Sequence, residues 1–578
     1  MFYIFPAGKF YKKLALWFLI FNLTLQPFFS AVQASEVIPD ARQGKNPTVI
    51  QTSNEVTLVN ILAPNDKGLS HNQYLNFQVG LNGLIFNNQT AVLKTQLAGY
   101  IAGNPNLLNS GATVILNEIT GRLPTAINGY MEVAGQKADI IIANPNGIIG
   151  NNFGVINSAR CVLTTGVPVI DRTGGLEKFH VQGGTVRIEG SGLNGSKTDR
   201  VDIIARAVEV NAGIWANDLH ITTGANDVTY KDQILVNEPD PAYNAKGIAL
   251  DVSCLGGMYA NKITLIGTEK GVGINSQGSI SAGSGNLTLT QEGKIILAGK
   301  TLSSGGIELN SKNAFTQSGV IYTTDNMNIK AVSINNSGTI AAANDVTINA
   351  QDVTSTGTLG AGIQSGGQLG SAGTLNITAQ NSLAANGKNL AAGDMTMKAG
   401  NVDLQGASTF IGNQGNIAAT AGDINNTKGI LQSQKAISLA ARDLKNQGGK
   451  INTNDNLTIN LSGALQNEQG LLYTGQNLTA NTIGVENSGT IAAAKDVNIN
   501  AQDVASTGTL GAGIQGDGQL GSAGNLTITA QNSLAAHGKN LAAGDMTMRA
   551  GNVDLQGAST FIGNQGNIAA TAGDINNT

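Results

Sequence analysis

The chain has 578 residues with a formal net charge of −4, and only 12% of the residues are charged and 4% aromatic, whereas glycine occurs 75 times. A chain with so little charge lacks the basic face that nucleic-acid binding requires, and its composition excludes a disordered acidic tail. Abundant Gly, Asn, Thr and Ala are typical of many short strands joined by tight turns. Two cysteines in a chain of this length exclude a disulfide scaffold.

Residues 1–34 have the pattern of a secretory signal peptide. Basic lysines precede an apolar core that starts at residues 14–21, and small residues favour signal cleavage after Ala34. The alternative is a membrane anchor, which needs roughly 18–20 apolar residues, but Asn22 and Pro27 interrupt the run before that length is reached. The sequence therefore predicts an exported mature chain.

Two Asn-Pro-Asn turns interrupt strand-like sequence in the first third of the chain. At each turn the first asparagine can accept backbone hydrogen bonds, and the proline fixes φ at the second position. In the later turn a glycine lets the chain leave without a Cβ clash. On physical grounds alone these are two good type I turns. Their residues are Asn104, Pro105, Asn106 and Leu107 in the first and Asn144, Pro145, Asn146, Gly147 and Ile148 in the second.

The sequence blocks around these turns resemble the secretion domain of two-partner secretion exoproteins, the filamentous haemagglutinin-like family. They follow one another in the family's order from Val56 to about Ile280, and we predict a secretion domain over residues 35–280. The blocks include VTLVNILAPNDKGLSHNQYLNF (56–77), NPNL (104–107), NEITGRLPTAINGYMEVAGQKADIIIANPNGI (117–148) and ALDVSCLGGMYANKITLIGTEKGVGI (249–274).

The resemblance implies export to the periplasm and recognition by a dedicated outer-membrane β-barrel transporter with periplasmic domains. The front domain would then template coil-by-coil growth of a β-helix outside the cell. We expect the two turns to be the secretion determinants; the alternative is that they only hold the shape of the domain. The resemblance does not identify a host or bacterial receptor.

Cysteine usage departs from the family. Many members carry a cysteine pair just after the second turn, whereas this chain has only Cys161 there. Cys161 and Cys254 could pair if neighbouring coils bring them together, but we expect two small buried thiols instead.

Beyond residue 280 the chain repeats at about twenty residues. The central apolar residues of successive strand-like segments are Leu289, Leu309, Ile329, Ile348, Ile377, Met397 and Ile417. Apolar and polar residues alternate within each segment, which indicates a strand with one buried face. Each unit is too short to bury that face alone, so it must stack on its neighbours. The predicted fold is therefore all-β, a single-stranded right-handed parallel β-helix (a solenoid) capped by the N-terminal secretion domain.

Two local features refine this prediction. The longer spacing over residues 356–373 predicts a loop or hairpin that leaves one coil. Asparagine and glycine at the coil corners adopt left-handed conformations readily, and stacked asparagine side chains can hydrogen-bond to one another along the rod.

A longer repeat is superimposed on the short one. Residues 336–427 recur as 487–578, an offset of 151, so haemagglutinin-type repeats over residues 281–578 comprise one copy at 336–486 and an incomplete one at 487–578. Because the sequence stops within an ordinary repeat and not in an atypical polar cap, we expect it to be the front of a longer polypeptide.

The sequence offers little chemistry for an active site. The four histidines are scattered, and metal-binding, nucleophile-elbow and phosphate-loop motifs are absent from the sequence. Asp199, Asp202 and Arg206 are the nearest approach to a catalytic cluster, and we expect Asp202 and Arg206 to form a structural pair or to be solvated. We predict a non-enzymatic chain without cofactor, metal or nucleic-acid partner.

Two functions fit these observations. The leading hypothesis is a secreted cell-surface exoprotein that acts as a filamentous adhesin and mediates attachment to cells or surfaces. The alternative is the stalk of a contact-dependent growth inhibition toxin whose effector domain lies beyond residue 578.

Overall fold

The computed structural model describes residues 35–236, 247–412, 415–563 and 566–578. The predicted signal peptide and its cleavage site at Ala34 lie outside these residues. The described residues form 61 β-strands and one short 3-10 helix, Ala41–Gln43. They contain no helix that is long and apolar enough to cross a membrane.

The strands wind into a parallel β-solenoid of about 21 turns, which confirms the predicted fold class. Each turn contributes strands to three faces, and each strand hydrogen-bonds to the equivalent strand of the turns before and after it. Alternate side chains point inward, so the leucine, isoleucine and valine residues of all turns join into one continuous core along the rod.

Four groups of strands build the three faces. The first face contains Thr48–Gln51, Thr57–Asn60, Leu84–Asn88, Met131–Gly135, Ser279–Ala282, Lys300–Ser303, Val320–Thr323, Thr339–Ala342, Thr358–Ala361, Lys388–Ala391, Ser408–Ile411, Ile430–Ser433, Lys450–Thr453, Leu471–Thr474, Thr490–Ala493, Thr509–Ala512, Lys539–Ala542 and Ser559–Ile562. The second face contains Glu36–Pro39, Leu69–Gln78, Val114–Ile119, Ala138–Ala143, Ser158–Thr164, Leu287–Gln291, Ile307–Ser311, Met327–Lys330, Met395–Lys398, Ile417–Thr420, Ile437–Ala441, Leu457–Leu461, Leu478–Asn481, Met546–Arg549 and Ile568–Thr571. The third face contains Thr125–Ile127, Ala207–Val210, Ile248–Val252, Gly273–Ser276, Ile295–Leu297, Ala314–Gln317, Ser333–Asn336, Asn401–Asp403, Asp423–Asn425, Asp443–Lys445, Ala464–Asn467, Gly484–Asn487, Asn552–Asp554 and Asp574–Asn576. Longer strands that turn a corner and serve more than one face are Ile148–Ile156, Thr185–Ala205, Gly213–Thr223, Gly257–Gly267, Val346–Ser355, Leu375–Ala385, Val497–Ser506 and Leu526–Ala536.

The N-terminal end of the solenoid is closed by antiparallel pairing. Glu36–Pro39 runs antiparallel to Leu69–Gln78, and Thr48–Gln51 runs antiparallel to Thr57–Asn60. Val37 and Val49 of these capping strands pack against the end of the core. A capped end cannot pair edge to edge with another chain as readily as an open one.

Two small sheets lie outside the solenoid. A hairpin of Leu93–Thr95 and Gly99–Ile101 packs its Ile101 over Leu58 and Ile85 of the first face. On the second face lies a four-stranded antiparallel sheet, which we call the outer sheet, and its Phe179, Val181 and Val228 share a second hydrophobic cluster with that face. The strands of the outer sheet are Val167–Ile170, Leu176–Val181, Asn226–Thr229 and Ile234–Val236.

The strand register confirms the predicted spacing of the repeats except at its last step. Leu289 pairs with Leu309, and the series continues in register as far as Met397. The predicted spacing would pair Met397 with Ile417, and this prediction is wrong. Met397 pairs with Ala419, and Ile417 pairs with Met395. This coil is two residues longer than its neighbours, and a side-chain period of two leaves the buried face unchanged.

The hairpin predicted within residues 356–373 is present. Gln364 N–H donates to Gln368 O at 2.9 Å, and Ile363 bridges Leu369 in antiparallel fashion. The predicted asparagine stacking is also present, inside one corner of the rod. Nδ2 of each asparagine donates to Oδ1 of the next at 2.8 Å in the series Asn426, Asn446, Asn467 and Asn487.

Candidate functional site: the two Asn-Pro-Asn turns

The second turn lies where the strand Ala138–Ala143 leaves the second face. Asn144 is fully buried, and its Oδ1 accepts from the N–H of Asn146 at 2.9 Å. The N–H of Gly147 donates to Asn144 O at 3.1 Å, which closes the predicted turn. A β-branched strand followed by Asn-Pro-Asn-Gly therefore folds locally as its sequence predicts.

The side chain of Asn144 also fastens the turn to the preceding coil. Its Nδ2 donates to Leu123 O and to Thr125 Oγ1, each at 2.9 Å. Asn146 Nδ2 donates to Gly121 O at 2.9 Å in the same coil. The turn is thus a corner that forms its full set of hydrogen bonds only when the preceding coil is in place.

Gly147 and Ile148 return the chain to the third face. Gly147 has φ +111°, and a Cβ there would stand 2.9 Å from Thr185 O in the next coil, so this position requires glycine. Ile148 is fully buried and pairs with Thr125 on one side and Val186 on the other.

The first turn repeats this arrangement at a different corner. Asn104 is buried, its Oδ1 accepts from Asn106 N–H at 2.9 Å, and its Nδ2 donates to Ile61 O at 2.9 Å and Asn87 O at 2.8 Å. The N–H of Leu107 donates to Asn104 O at 3.2 Å. Asn106 and buried Leu107 complete the attachment, since Asn106 Nδ2 donates to Asn60 O at 3.1 Å.

Each turn therefore has a buried asparagine and a more exposed tip. Pro105 and Asn146 are exposed, and Pro145 is partly so. The turns contact different segments of the solenoid, so the structure does not join the nine predicted residues into one cluster. It presents two separate tips, each held by an internal asparagine.

An ion network that the sequence analysis missed ties the outer sheet to the second face. Arg160 Nε donates to Asp202 Oδ2 and its Nη2 to Asp232 Oδ1, both at 2.7 Å, while Arg200 binds the same two carboxylates. The Arg160 guanidinium also lies 5.1 Å from the centre of the Tyr230 ring. Apart from Arg200 and Asp202, which are two positions apart on one strand, the paired residues are 32 to 72 positions apart in the chain. Strand patterns alone could not bring these distant residues together.

Burial and charge shift the pKa values in this network. Burial raises the pKa of Asp139, whose carboxylate accepts a hydrogen bond from the Tyr230 hydroxyl. Burial also raises the pKa of Tyr230. For Asp232, burial acts to raise the pKa, but the hydrogen bond from Arg200 and the charges of Arg160 and Arg200 hold it below its ordinary value.

The expected pairing of Asp202 with Arg206 is wrong. Asp202 binds Arg160 and Arg200, whereas Arg206 binds Glu269 through Nε at 3.1 Å and Nη2 at 2.8 Å. Four residues along a strand span about 13 Å, too far for a direct pair. The stacking of the coils instead brings Glu269, from a later coil, within hydrogen-bonding distance of Arg206.

The expectation of two buried thiols is half correct. Cys161 is fully buried, and burial raises the pKa of its thiol to about 12. Cys254 is exposed, because it lies in the turn between the strands Ile248–Val252 and Gly257–Gly267 and not on an inward position. Both cysteines are free.

The remaining titratable groups do not assemble a metal site in the part of the chain that the structure describes. Within it, no three His, Cys, Asp or Glu side chains are placed to hold a metal ion. His71 Nε2 lies 2.7 Å from Glu118 Oε2, and Gln73 Nε2 donates to the same oxygen at 2.9 Å. This hydrogen-bonded pair links the adjacent strands Leu69–Gln78 and Val114–Ile119.

Comparisons with known proteins find relatives of the region that contains these turns. The sequence model of the TPS secretion domain matches residues 35–297. Toxin CdiA of Yersinia pestis is 38% identical over 573 residues, which cover 94% of this chain and 17% of that protein. The 16S rRNA endonuclease CdiA of Enterobacter cloacae is 44% identical over 285 residues, which cover 49% of this chain and 8% of that protein.

A solved structure of a filamentous hemagglutinin secretion domain is also similar, at 27% identity with a TM-score of 0.43. The match covers 59% of this chain and 99% of that one. The present chain spans less than a fifth of each of the two curated relatives. From the matched family model, residues 35–297 of this chain are a TPS secretion domain, and the chain is similar to the CdiA proteins.

Proposed function

We propose that the chain is the exported stalk of a contact-dependent toxin. The observation that carries this proposal is the alignment with a protein named Toxin CdiA over 94% of the chain, so that the repeat coils are included as well as the secretion domain. A relative named as an endonuclease is matched over only 8% of its length. The toxic activity would therefore reside in sequence outside these 578 residues, and the stalk itself would not be an enzyme.

The proposed route of export begins with residues 1–34 as a cleaved signal peptide that delivers the chain to the periplasm. A cognate outer-membrane transporter then binds the secretion domain, and the protein ends at the cell surface or in the medium. The solenoid supplies a driving force that needs no nucleotide, since each new coil gains backbone hydrogen bonds and buried apolar area as it stacks.

An adhesin is the second candidate. Its support is the shape of the solenoid, because about 21 turns at about 4.8 Å each make a rod of about 100 Å with a long exposed surface. A rod of this kind can present a binding surface far from the cell. Sequencing the reading frame beyond residue 578 separates the two: a compact charged domain beside a small immunity gene supports the toxin stalk, and further repeats support the adhesin.

We propose that the turns have two roles, carried by different residues. Asn104 and Asn144 are buried and fasten corners to earlier coils, so they act on folding. Pro105, Pro145 and Asn146 form the accessible tips and are the parts that a transporter can contact. The folding role and the recognition role therefore fall on different residues.

The test is export of the full chain with and without a cognate transporter. Wild-type chain should leave the cell only with the transporter, and release in its absence would contradict the proposal. The double variant P105A/P145A should fold but export poorly, whereas N144A should lose protease resistance and export together.

A matched control is available in Asn157, which donates to Val133 O and Gly135 O in the preceding coil but belongs to neither turn. N157A removes bonds of the same kind, so it should lose protease resistance and export together, as N144A does, although it leaves both turns unchanged. If P105A/P145A exports normally while N144A does not, the turns only hold the shape of the domain.

A further inference from the structure

The outer surface of the first face carries a row of aromatic side chains with a gap in it. Trp215 pairs in register with Tyr259 in the next coil and with Asn194 in the preceding coil, and Asn194 in turn pairs with Gly154. The ring of Tyr130 lies over Gly154, because a Cβ on that glycine would stand 2.5 Å from Tyr130 Cε1. Gly154 and Asn194 thus lie between two aromatic side chains, Tyr130 and Trp215.

The gap forms a cavity of about 470 Å³. Tyr130 and Trp215 line it together with Asn194, Ser191 and Ser196. Trp215 remains 42% exposed. Tyr259 stacks on the side of the indole away from the cavity, with ring centres 6.1 Å apart and planes inclined by 17°. One face of the indole is therefore packed against Tyr259, and its other face is open to a ligand in the cavity.

The polar groups of the cavity are neutral and already oriented. Asn194 Nδ2 donates to the Tyr130 hydroxyl at 3.1 Å, and Asn194 Oδ1 accepts from the Ser196 hydroxyl at 2.7 Å. None of the described residues that line the cavity carries a formal charge. Hydroxyl and amide groups both donate and accept hydrogen bonds, which matches a ligand rich in hydroxyl groups.

We propose that this cavity binds a neutral pyranose unit of an oligosaccharide. One face of a pyranose ring presents C–H groups that pack on the indole of Trp215, and the ring hydroxyls exchange hydrogen bonds with Asn194 and the serines. The absence of charge on the lining residues disfavours a phosphate or sulfate ligand, which would need cationic partners. This assignment is independent of the transporter and of the two turns.

The site contains its own reporter. The chain has two tryptophans, Trp17 and Trp215, so in the full chain carrying W17F the fluorescence comes from Trp215 alone. Titration with chitotriose, lactose and maltotriose should give a saturable change in Trp215 emission for at least one sugar. A neutral polysaccharide from bacterial lipopolysaccharide and a tri-N-acetyllactosamine then distinguish a bacterial from an animal source.

Calorimetry on variants completes the test. N194A should bind the responding sugar about tenfold more weakly, W215A should lose binding, and W215F should be intermediate. L302A is the matched control, because Leu302 lies outward on the same face beyond the cavity and should leave affinity unchanged.

Three results would overturn the proposal. They are the absence of saturable binding to any of these sugars, binding that W215A and N194A do not weaken, and tighter binding of a heparin tetrasaccharide or a polyproline peptide than of the neutral sugars. A circular dichroism spectrum shared by all variants shows that a lost response is not a lost fold.

Discussion

The coils of the secretion domain and those of the repeats use the same solenoid in different ways. The front coils carry the capping strands, the outer hairpin and the outer sheet, and their interior holds the ring contacts of Phe77 with Tyr74 and Phe86 at 5.0 and 6.3 Å. The rear coils have a small hairpin in each long repeat and otherwise depend on stacking and on the ladder Asn426–Asn487. The coils of the secretion domain are thus stabilised by packing on both the inner and the outer sides of their sheets. The repeat coils are stabilised mainly by the coils stacked before and after them.

The largest expected effect comes from removing an aromatic ring of the front core. Phe77 is 1% exposed, and F77A should cost about 3–5 kcal/mol of stability, since it leaves a cavity among packed rings. Limited proteolysis and thermal unfolding measure the loss. The neighbouring L75A removes a side chain that is 36% exposed and should change the melting temperature little; equal effects of the two would contradict the claim that the front depends on its inner packing.

The second prediction separates the outer sheet from the solenoid. R160Q removes the bonds to Asp202 and Asp232 and leaves a buried carboxylate with fewer partners, at a cost of about 3 kcal/mol. Hydrogen exchange should rise in residues 167–181 and 226–236 while the solenoid strands keep their protection. An increase spread over the whole secretion domain would show that the outer sheet is not a separable layer.

The third prediction concerns the rear ladder. N446A leaves Asn426 Nδ2 and Asn467 Oδ1 without their partner in a closed core, so we expect a loss of about 2 kcal/mol. The control variant N454A changes an exposed asparagine at a different corner of the rod. It should lower the free energy of unfolding by less than about 0.5 kcal/mol. Local hydrogen exchange around residues 426–487 distinguishes the two variants, and equal protection in both would show that the ladder contributes nothing to the rear coils.

The smallest effect is a pH dependence of the outer sheet. The pKa of Asp232 is lower in the folded chain than in the unfolded one, so its contribution is present above the unfolded pKa and is lost as pH falls through the folded pKa, below about pH 4. The raised pKa of Asp139 acts in the opposite sense. The difference between wild type and D232N in hydrogen exchange of residues 226–236 should therefore shrink on acidification from pH 6 to pH 3, and a growing difference would contradict this assignment.

Periodicity was enough to predict the solenoid, because the alternation around Leu289 and Ile348 requires a strand with one buried face and the spacing requires stacking. The conformation of the Asn144 turn also followed from local chemistry. Its side-chain bonds to Leu123 and Thr125 did not, since they depend on which corner of the preceding coil lies below.

The parts that sequence reasoning missed are those made by non-local contacts. Arg160 meets Asp232 only because the chain leaves the solenoid and returns as the outer sheet, and no periodic signal marks that return. The Asp202–Arg206 prediction failed for the same reason. Arg206 finds its partner, Glu269, in a stacked coil and not among its neighbours in sequence. The cavity beside Trp215 likewise appears only when the register of Gly154, Asn194 and Trp215 is known.

The most direct test of the difference between the two regions is hydrogen exchange on the full chain and on a chain that ends at residue 297. If the front is a self-sufficient cap onto which later coils stack, residues 57–265 should show the same protection in both chains. Loss of that protection in the shortened chain would contradict the account, because the secretion domain would then depend on the repeats that follow it.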